Sequence, residues 1–319
     1  MKLPLKICAL CMAVCLGVSP QGFAQVSESS QRPSRASRKA AQRPLKNVTY
    51  SFVAGKKLKL DLYYPAQRSL GPFPVVIYLH AGAWMGGNKG GKEIKHYLPY
   101  MLERGYAVAS IEYRLAPKSK FPAQVEDSKC AVRFIRENGP SFMLDPARIG
   151  VLGASAGGHL GALMSVAQPS DGFEGTGGWP QQSSRVQAAV SLFGITDLPP
   201  LAKDPRNFEI IEKVFGVGQL ERASPIDYIN PGDSPCMLVH GILDSRVPPS
   251  QSQLMYDMLV QAGVPADLLM VEHAGHAMVP VGGIPNPSFN AQMSLILDFL
   301  DQHVKNAPAD SPLDRTLTE

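Results

Sequence analysis

The 319-residue sequence has few cysteines, and three of its five lie within the first 15 residues. Cys130 and Cys236 stand alone further along, with no CxxC spacing and no cysteine–histidine cluster, so no structural zinc site is indicated. The HExxH motif is also missing, which leaves the scattered histidines without a metal-site pattern. Since a chain of this length can build a large core without a covalent staple, we expect two buried thiols; a disulfide between Cys130 and Cys236 is the alternative.

Long apolar runs are missing as well. The run from Ile7 to Val18 is shorter than the roughly 20 residues that a membrane-spanning helix needs. Two lysines precede it and small residues ending at Ala24 follow it, a pattern typical of a secretory signal peptide over residues 1–24. The sequence therefore predicts a secreted or periplasmic protein without stable membrane insertion. A lipid anchor on Cys15 is a weaker alternative because Val14 is bulkier than is usual before a lipidated cysteine.

The net charge of +4 does not extend over the whole chain. Residues 1–46 hold eight basic residues against the single acid Glu28, so the remainder is slightly acidic. We expect a disordered basic linker over residues 25–46, a folded domain over 47–305 and a flexible tail over 306–319. Nothing in the charge pattern indicates a nucleic-acid partner, and the oligomeric state is open.

The folded part alternates short apolar runs with helical segments. Residues 48–52 and 58–64 are expected to form an antiparallel pair, whereas six later runs have lost alternation, as strands of a parallel sheet do when buried on both faces. These runs cover residues 75–80, 107–113, 149–152, 188–193, 237–240 and 268–272. Helices are expected between them at 93–104, 125–138, 156–167, 250–263 and 289–305. This order predicts an α/β protein with a doubly wound, mostly parallel sheet and helices on both faces.

Two excursions interrupt this alternation. Residues 198–235 contain a helical stretch at 208–215, and they predict either a small lid or a surface segment without substrate contact. Residues 171–179 form a glycine-rich loop without phosphate-loop spacing. Its Trp179 and the earlier Trp84 are candidate substrate-binding residues.

The pentad Gly153-Ala154-Ser155-Ala156-Gly157 fits GxSxG, a strand-to-helix elbow that presents a serine at the carboxyl edge of a sheet. A serine nucleophile needs a histidine to accept its proton, and the histidine needs a carboxylate to fix its tautomer. Asp244 and His276 each follow a predicted strand further along the chain. We predict that Ser155, Asp244 and His276 are the nucleophile, the acid and the base.

Other polar residues compete for these roles. Asp197 also lies near a strand end and is the rival acid, whereas His273 is the less favoured base because it belongs to the last strand. His80 is expected to hold the backbone of its own loop, and His159 and His240 are expected to be structural histidines. Asp127 is expected to brace a loop by hydrogen bonds.

The chemistry also requires backbone donors for a developing oxyanion. The stretch YLHAGAWMGGNKGG follows a predicted buried strand, and its small residues allow the chain to turn into a cleft. The amides of Gly82 and Ala83, together with that of Ala156 after the nucleophile, are the predicted donors.

With these motifs in place, the sequence resembles the α/β-hydrolase esterases of the hormone-sensitive-lipase and bacterial BD-FAE-like groups over residues 57–304. The resemblance rests on HAGAW, YRLAPKSKFPAQVED, DPARIGVLGASAGGHLGAL, HGILDSRVP and HAGH. It implies the α/β-hydrolase fold, carboxylester hydrolysis with the same three residues, no cofactor and a cap near residues 198–235. For many members it also implies acylated plant polysaccharides as substrates, so the expected partner is a small-molecule or carbohydrate ester.

The loop departs from the family's HGGGW at two positions, where Ala81 and Ala83 replace glycines. A positive φ would strain alanine by about 1 kcal/mol, so we infer a backbone that accommodates both residues. The Ala83 methyl is expected to narrow the acyl side of the pocket and to favour acetyl or other short acyl groups. A peptidase of the same fold and a noncatalytic binding protein are the alternative functions.

Overall fold

The computed structural model describes residues 43–66 and 70–307. The predicted signal peptide, most of the predicted linker and most of the predicted tail lie outside these ranges. Within them, no helix is both long and apolar enough to cross a membrane. The first strand begins at Leu45, two residues inside the predicted linker. The linker boundary at residue 46 was therefore too late, because Lys46 is held in the strand by an ion pair with Asp61 at 2.8 Å.

Eight strands form one sheet in the order β1-β2-β4-β3-β5-β6-β7-β8. The antiparallel strands β1 and β2 lie at one edge, and the remaining strands run parallel to one another, as predicted. Their bounds are β1 Leu45–Val53, β2 Lys56–Tyr63, β3 Phe73–Leu79, β4 Ala107–Ile111, β5 Leu144–Ala154, β6 Ala188–Leu192, β7 Cys236–Gly241 and β8 Ala266–Val271.

Seven α-helices are described: α1 Ile94–Glu103, α2 Ala123–Asn138, α3 Ala156–Val166, α4 Leu198–Ala202, α5 Pro205–Val214, α6 Ser250–Gln261 and α7 Phe289–Leu300. A π-helical turn, Asp301–Lys305, extends the last one. Helices α2, α3 and α6 pack in one core and α1 and α7 in a second core on the opposite face. Strand β3 shows why its sequence lacks alternation, since Val75 and Ile77 enter the first core while Val76 and Tyr78 enter the second.

The excursion over residues 198–235 is a packed insertion that carries α4 and α5. Its residues Ile211, Val214 and Phe215 are buried in the first core. The amide of Phe121 also donates to the carbonyl oxygen of Val214 at 2.9 Å, which ties the insertion to the segment before α2. Because the insertion follows β6, it lies above the carboxyl edge of the sheet, between the ends of β5 and β7.

Candidate active site

Ser155 occupies a tight turn between β5 and α3. Its backbone has φ 52° and ψ −113°, an uncommon conformation for a residue with a side chain. A Cβ on Gly153 would lie 2.0 Å from the carbonyl oxygen of Gly157, so glycine is required where the strand and the helix meet. The turn is fixed by the Ser155 amide, which donates to the Leu192 carbonyl at 2.8 Å. The chain thus places the hydroxyl of Ser155 at the carboxyl edge of the sheet.

The three residues predicted from the sequence lie within hydrogen-bond distance of one another. Ser155 Oγ is 3.1 Å from His276 Nε2, and His276 Nδ1 is 2.7 Å from Asp244 Oδ2. The imidazole also packs edge-on against Phe193, with ring centroids 5.0 Å apart. This arrangement allows His276 to accept the serine proton at Nε2 while Nδ1–H donates to the carboxylate.

Asp244 is buried, and its two oxygens have different partners. Oδ1 accepts hydrogen bonds from the amides of Arg246 and Val247 at 2.9 and 3.0 Å. Oδ2 faces both His276 and His240, with His240 Nε2 at 3.3 Å. Burial acts to raise the pKa of Asp244, but hydrogen bonds from His240, His276 and Val247 hold it well below its usual range. The carboxylate therefore stays ionised beside His276.

His240 is a residue whose contact with the acid we did not predict from the sequence. Its Nε2 lies 3.0 Å from the Val247 carbonyl, and its Nδ1 lies 2.7 Å from the Ser252 hydroxyl. Because Nε2 faces two acceptors, the carbonyl and Asp244, we assign the proton to Nε2. His240 then orients Asp244 through its Nε2–H. The only sequence signal was the spacing of four residues between His240 and Asp244.

The predicted oxyanion loop follows β3, which is the neighbour of β5 in the sheet, with Leu79 paired to Gly153. A Cβ on Gly157 would lie 2.1 Å from the Leu79 carbonyl oxygen, so glycine permits this close approach of the elbow to the loop. Gly82 has φ +134° and Ala83 has φ 50°. The expectation of an accommodating backbone was therefore wrong for Ala83, whose positive φ carries the strain that a methyl group meets in this region.

Three contacts hold this loop in place. The Tyr113 hydroxyl donates to the carbonyl of His80 at 2.7 Å, and the two rings stack with centroids 4.2 Å apart. His80 Nδ1 lies 2.8 Å from the Ala81 carbonyl. The amide of Ala81 donates to Glu93 Oε2 at 3.3 Å. Burial lowers the pKa of His80 to about 4, so the ring is neutral at pH 7 and supports the loop, as expected for this histidine.

The structure places both candidate tryptophans away from the reacting groups. Trp84 is buried beside Phe215. Its indole N–H donates to His159 Nδ1 at 3.1 Å, so Trp84 anchors the loop and does not offer a face to substrate. Trp179 packs on Phe134, which also contacts Phe142 just before β5. Trp179 therefore lies toward the amino ends of the parallel strands, at the edge opposite Ser155.

The remaining polar candidates are used structurally. Asp197 precedes α4, where its backbone contacts Gln251, and it does not reach His276. The carbonyl of His273 accepts from the amide of Val281. As expected, Asp127 braces a loop, since it accepts hydrogen bonds from the backbone and side chain of Arg114. The expected free thiols are confirmed, because both described cysteines, Cys130 and Cys236, are buried and unpaired.

A large apolar cavity of about 800 Å³ opens beside the oxyanion loop and the loop that follows His276. Its walls come from the oxyanion loop, from α1, and from residues 277–289, with Gly82, Tyr97, Ala277, Met278, Ile284 and Phe289 among them. Glu93 is a charged side chain in this wall. We did not predict this cavity, because its walls are separated by almost 200 residues of sequence. In the part of the chain that the structure describes, no group of three or more His, Cys, Asp or Glu side chains is placed to hold a metal.

Comparisons with known proteins fit this geometry. The chain is 30% identical over 234 residues to "Probable carboxylic ester hydrolase LipM" of Mycobacterium tuberculosis, which covers 69% of this chain and 54% of LipM. It is 31% identical over 200 residues to "Esterase LipQ" of the same organism, with 60% and 46% covered. The chain thus spans about half the length of these curated relatives.

Two solved structures have the same fold. One is a "Truncated form of carbohydrate esterase from gut microbiota", with a TM-score of 0.72, 24% identity and coverage of 86% of this chain and 100% of that one. The other is a "Bifunctional GH43-CE" of Bacteroides eggerthii, with a TM-score of 0.71, 28% identity and coverage of 82% and 38%. These neighbours confirm the predicted α/β-hydrolase fold. Residues 60–259, more than half of the chain, match the BD-FAE family, and the chain belongs to that family.

Proposed function

We propose that this protein is a serine carboxylesterase. The observation that carries the proposal is the continuous hydrogen-bonded series from Ser155 Oγ through the two nitrogens of His276 to Asp244. Relatives named as ester hydrolases support the same activity. A binding protein derived from this scaffold would have no need to keep these three groups in register, so the intact series favours an enzyme.

In the proposed reaction, Ser155 Oγ attacks the ester carbonyl carbon and transfers its proton to His276 Nε2. The carbonyl oxygen becomes an oxyanion beside the amides of Gly82, Ala83 and Ala156. The imidazolium, stabilised by ionised Asp244, gives this proton to the alcohol oxygen as the ester C–O bond breaks. The alcohol departs, and the acyl group stays bound to Ser155 Oγ. Water then attacks the acyl carbon and gives its proton to His276, and collapse of the second intermediate releases the carboxylic acid and restores the serine.

We propose esters of plant polysaccharides as the substrate class, with the short acetyl group favoured and the larger feruloyl group as the alternative. The methyl of Ala83, which follows the proposed oxyanion donor Gly82, is proposed to narrow the acyl side. The apolar cavity beside the loop gives the larger part of the substrate a place to bind. Acetate and ferulate released from acetylated and feruloylated xylan, measured by chromatography, test this choice. Release of neither product would reject polysaccharide esters as the substrate class.

The activity is tested with p-nitrophenyl acetate, butyrate and octanoate, using the wild-type protein and Ser155→Ala in parallel. We expect hydrolysis by the wild type, fastest for acetate, and its loss in the variant. Ser170→Ala is a matched control because Ser170 is an exposed serine outside the site. A fluorophosphonate probe should label the wild type and the control but not Ser155→Ala. Equal labelling of all three proteins would remove Ser155 as the nucleophile.

Secretion to the periplasm or the medium is proposed from the leader sequence. Mass spectrometry of the protein recovered from the cell envelope and the medium gives its amino terminus. A chain that begins after Ala24 supports cleavage by signal peptidase, whereas a lipid-modified Cys15 at the terminus replaces this proposal with membrane anchoring.

A further inference from the structure

A second cleft lies above the same edge of the sheet as the proposed active site, and its lining includes none of the proposed catalytic residues. Its volume is about 430 Å³, and its walls come from two segments. Helix α5 of the insertion contributes Arg206, Asn207 and Ile210, and the loop after Asp244 contributes Ser245 and Arg246. We call this space the arginine cleft.

The arginine cleft and the apolar cavity are bounded by different loops at the carboxyl edge of the sheet. The apolar cavity is bounded by loops that follow β3 and β8, whereas the arginine cleft lies between the insertion after β6 and the loop after β7. Arg246 is two residues from Asp244, and its amide donates to Asp244 Oδ1 at 2.9 Å. Asp244 in turn contacts His276, so the arginine cleft adjoins the loop that carries the proposed acid.

The polar groups of the arginine cleft are mostly hydrogen-bond donors. Arg206 is already paired with Asp204, whose carboxylate accepts from its Nε at 3.0 Å, so its charge is largely compensated. In the described residues, no acid is paired with the exposed guanidinium of Arg246, and Nδ2 of Asn207 is buried without a hydrogen-bond partner. The Ser245 hydroxyl adds a further donor. The cleft thus offers one uncompensated positive charge together with neutral donors.

On the basis of the proposed esterase function, we propose that the arginine cleft binds a carboxylate-bearing part of the ester substrate. A single uncompensated guanidinium matches the single negative charge of a carboxylate, and planar guanidinium groups bind carboxylates through two hydrogen bonds. Acidic sugar esters and half-esters of dicarboxylic acids carry a group of this kind.

The test uses two pairs of esters in which a carboxylate is compared with a carboxamide of the same shape. One pair varies the acyl side, with the p-nitrophenyl monoesters of adipic acid and of its monoamide. The other varies the alcohol side, with 3-carboxyphenyl and 3-carbamoylphenyl acetate. For each pair, kcat/KM is measured for the wild type, for Arg246→Gln and for Arg222→Gln, a matched control in the insertion but outside the cleft.

For one pair, we expect kcat/KM to be higher for the carboxylate ester than for the carboxamide ester. The ratio of the two values should fall about fivefold in Arg246→Gln, as expected for removal of an exposed ion pair. The preference should also weaken as salt is raised from 0.05 to 0.5 M and should persist in Arg222→Gln. The pair that responds identifies the side of the ester that enters the cleft. A preference in neither pair, or one that Arg246→Gln leaves intact, overturns the inference. Inactivity of the wild type toward p-nitrophenyl acetate would instead reject the esterase proposal itself.

Discussion

The substitution Asp244→Asn tests the proposed roles of the acid and the base together, because the surrounding contacts dictate how an asparagine must sit. Oδ1 of Asp244 accepts from the amides of Arg246 and Val247, so the carbonyl oxygen of an asparagine takes that position. Its NH₂ group then replaces Oδ2, 2.7 Å from His276 Nδ1 and 3.3 Å from His240 Nε2.

Both neighbours of that NH₂ group are affected. His276 Nδ1 must become an acceptor, which moves its proton to Nε2, where it points at Ser155 Oγ. The imidazole can then no longer remove the serine proton. His240 Nε2, which donates to the Val247 carbonyl, meets a second donor. Loss of the correct histidine tautomer lowers kcat by about 10⁴ in a serine triad, and we expect a loss of this order.

The assay is kcat for p-nitrophenyl acetate at pH 7 and 25 °C, with urea unfolding to confirm that the variant is folded. Asp197→Asn is the matched control, because Asp197 is an aspartate that also follows a strand at this edge, and no hydrogen bond joins it to His276. We expect the control to keep wild-type kcat. If folded Asp244→Asn stays within tenfold of the wild type, or if Asp197→Asn is the slower enzyme, Asp244 is not the acid.

Three further outcomes follow from individual contacts. Burial lowers the pKa of His159 to about 4 from 6.5, so between these pH values the unfolded chain binds a proton that the native chain does not, and stability falls with falling pH. From pH 7 to pH 5, the free energy of unfolding measured in urea titrations should therefore fall by about 2 kcal/mol less in His159→Gln than in the wild type. An equal fall in both proteins would contradict the lowered pKa of His159. Gly157→Ala should abolish soluble expression, because the new Cβ would lie 2.1 Å from a backbone oxygen, whereas Gly178→Ala, with open space around its Cβ, should be recovered at wild-type yield. Ala83→Gly should raise kcat/KM for octanoate relative to acetate several-fold by widening the acyl side, and an unchanged chain-length profile would count against the Ala83 methyl as its limit.

The parallel sheet and the proximity of Ser155, Asp244 and His276 could be predicted because each depends on a local pattern. Buried parallel strands read as unbroken apolar runs, and a residue placed just after such a run lies at the carboxyl edge of the sheet wherever the strand sits. Ser155, Asp244 and His276 all follow strands in this way. The elbow adds a second local signal, because only glycine fits at positions 153 and 157.

The supporting contacts could not be predicted because they join distant parts of the chain. The sequence makes Trp84 a candidate for substrate binding, yet its indole N–H donates to His159, which is 75 residues away in the chain. Through His159 Nε2 the same contact continues to the carbonyl of Ala223 in the insertion, at 2.8 Å. Trp84 therefore joins the oxyanion loop to the insertion through His159. The sequence alone does not show that these contacts bury the ring.

Backbone strain is concentrated where these segments meet. Four residues other than glycine have a positive φ at these places. Ala83 belongs to the oxyanion loop and Ser155 to the elbow. Phe193 packs against His276, and Ala277 follows that histidine in the chain. Such conformations cost about 1 kcal/mol or more for each residue and persist only where neighbouring contacts hold them. Two of those contacts join neighbouring strands. The amide of Ser155, just after β5, donates to the Leu192 carbonyl of β6, and the amide of Phe193, just after β6, donates to the Val239 carbonyl of β7. Because Ser155 and Phe193 are each held by the next strand in the sheet, a change at one of these strand ends should alter the position of Ser155 or of the ring that packs against His276. These two contacts therefore fix the backbone of Ser155 and of Phe193, whose ring packs against His276.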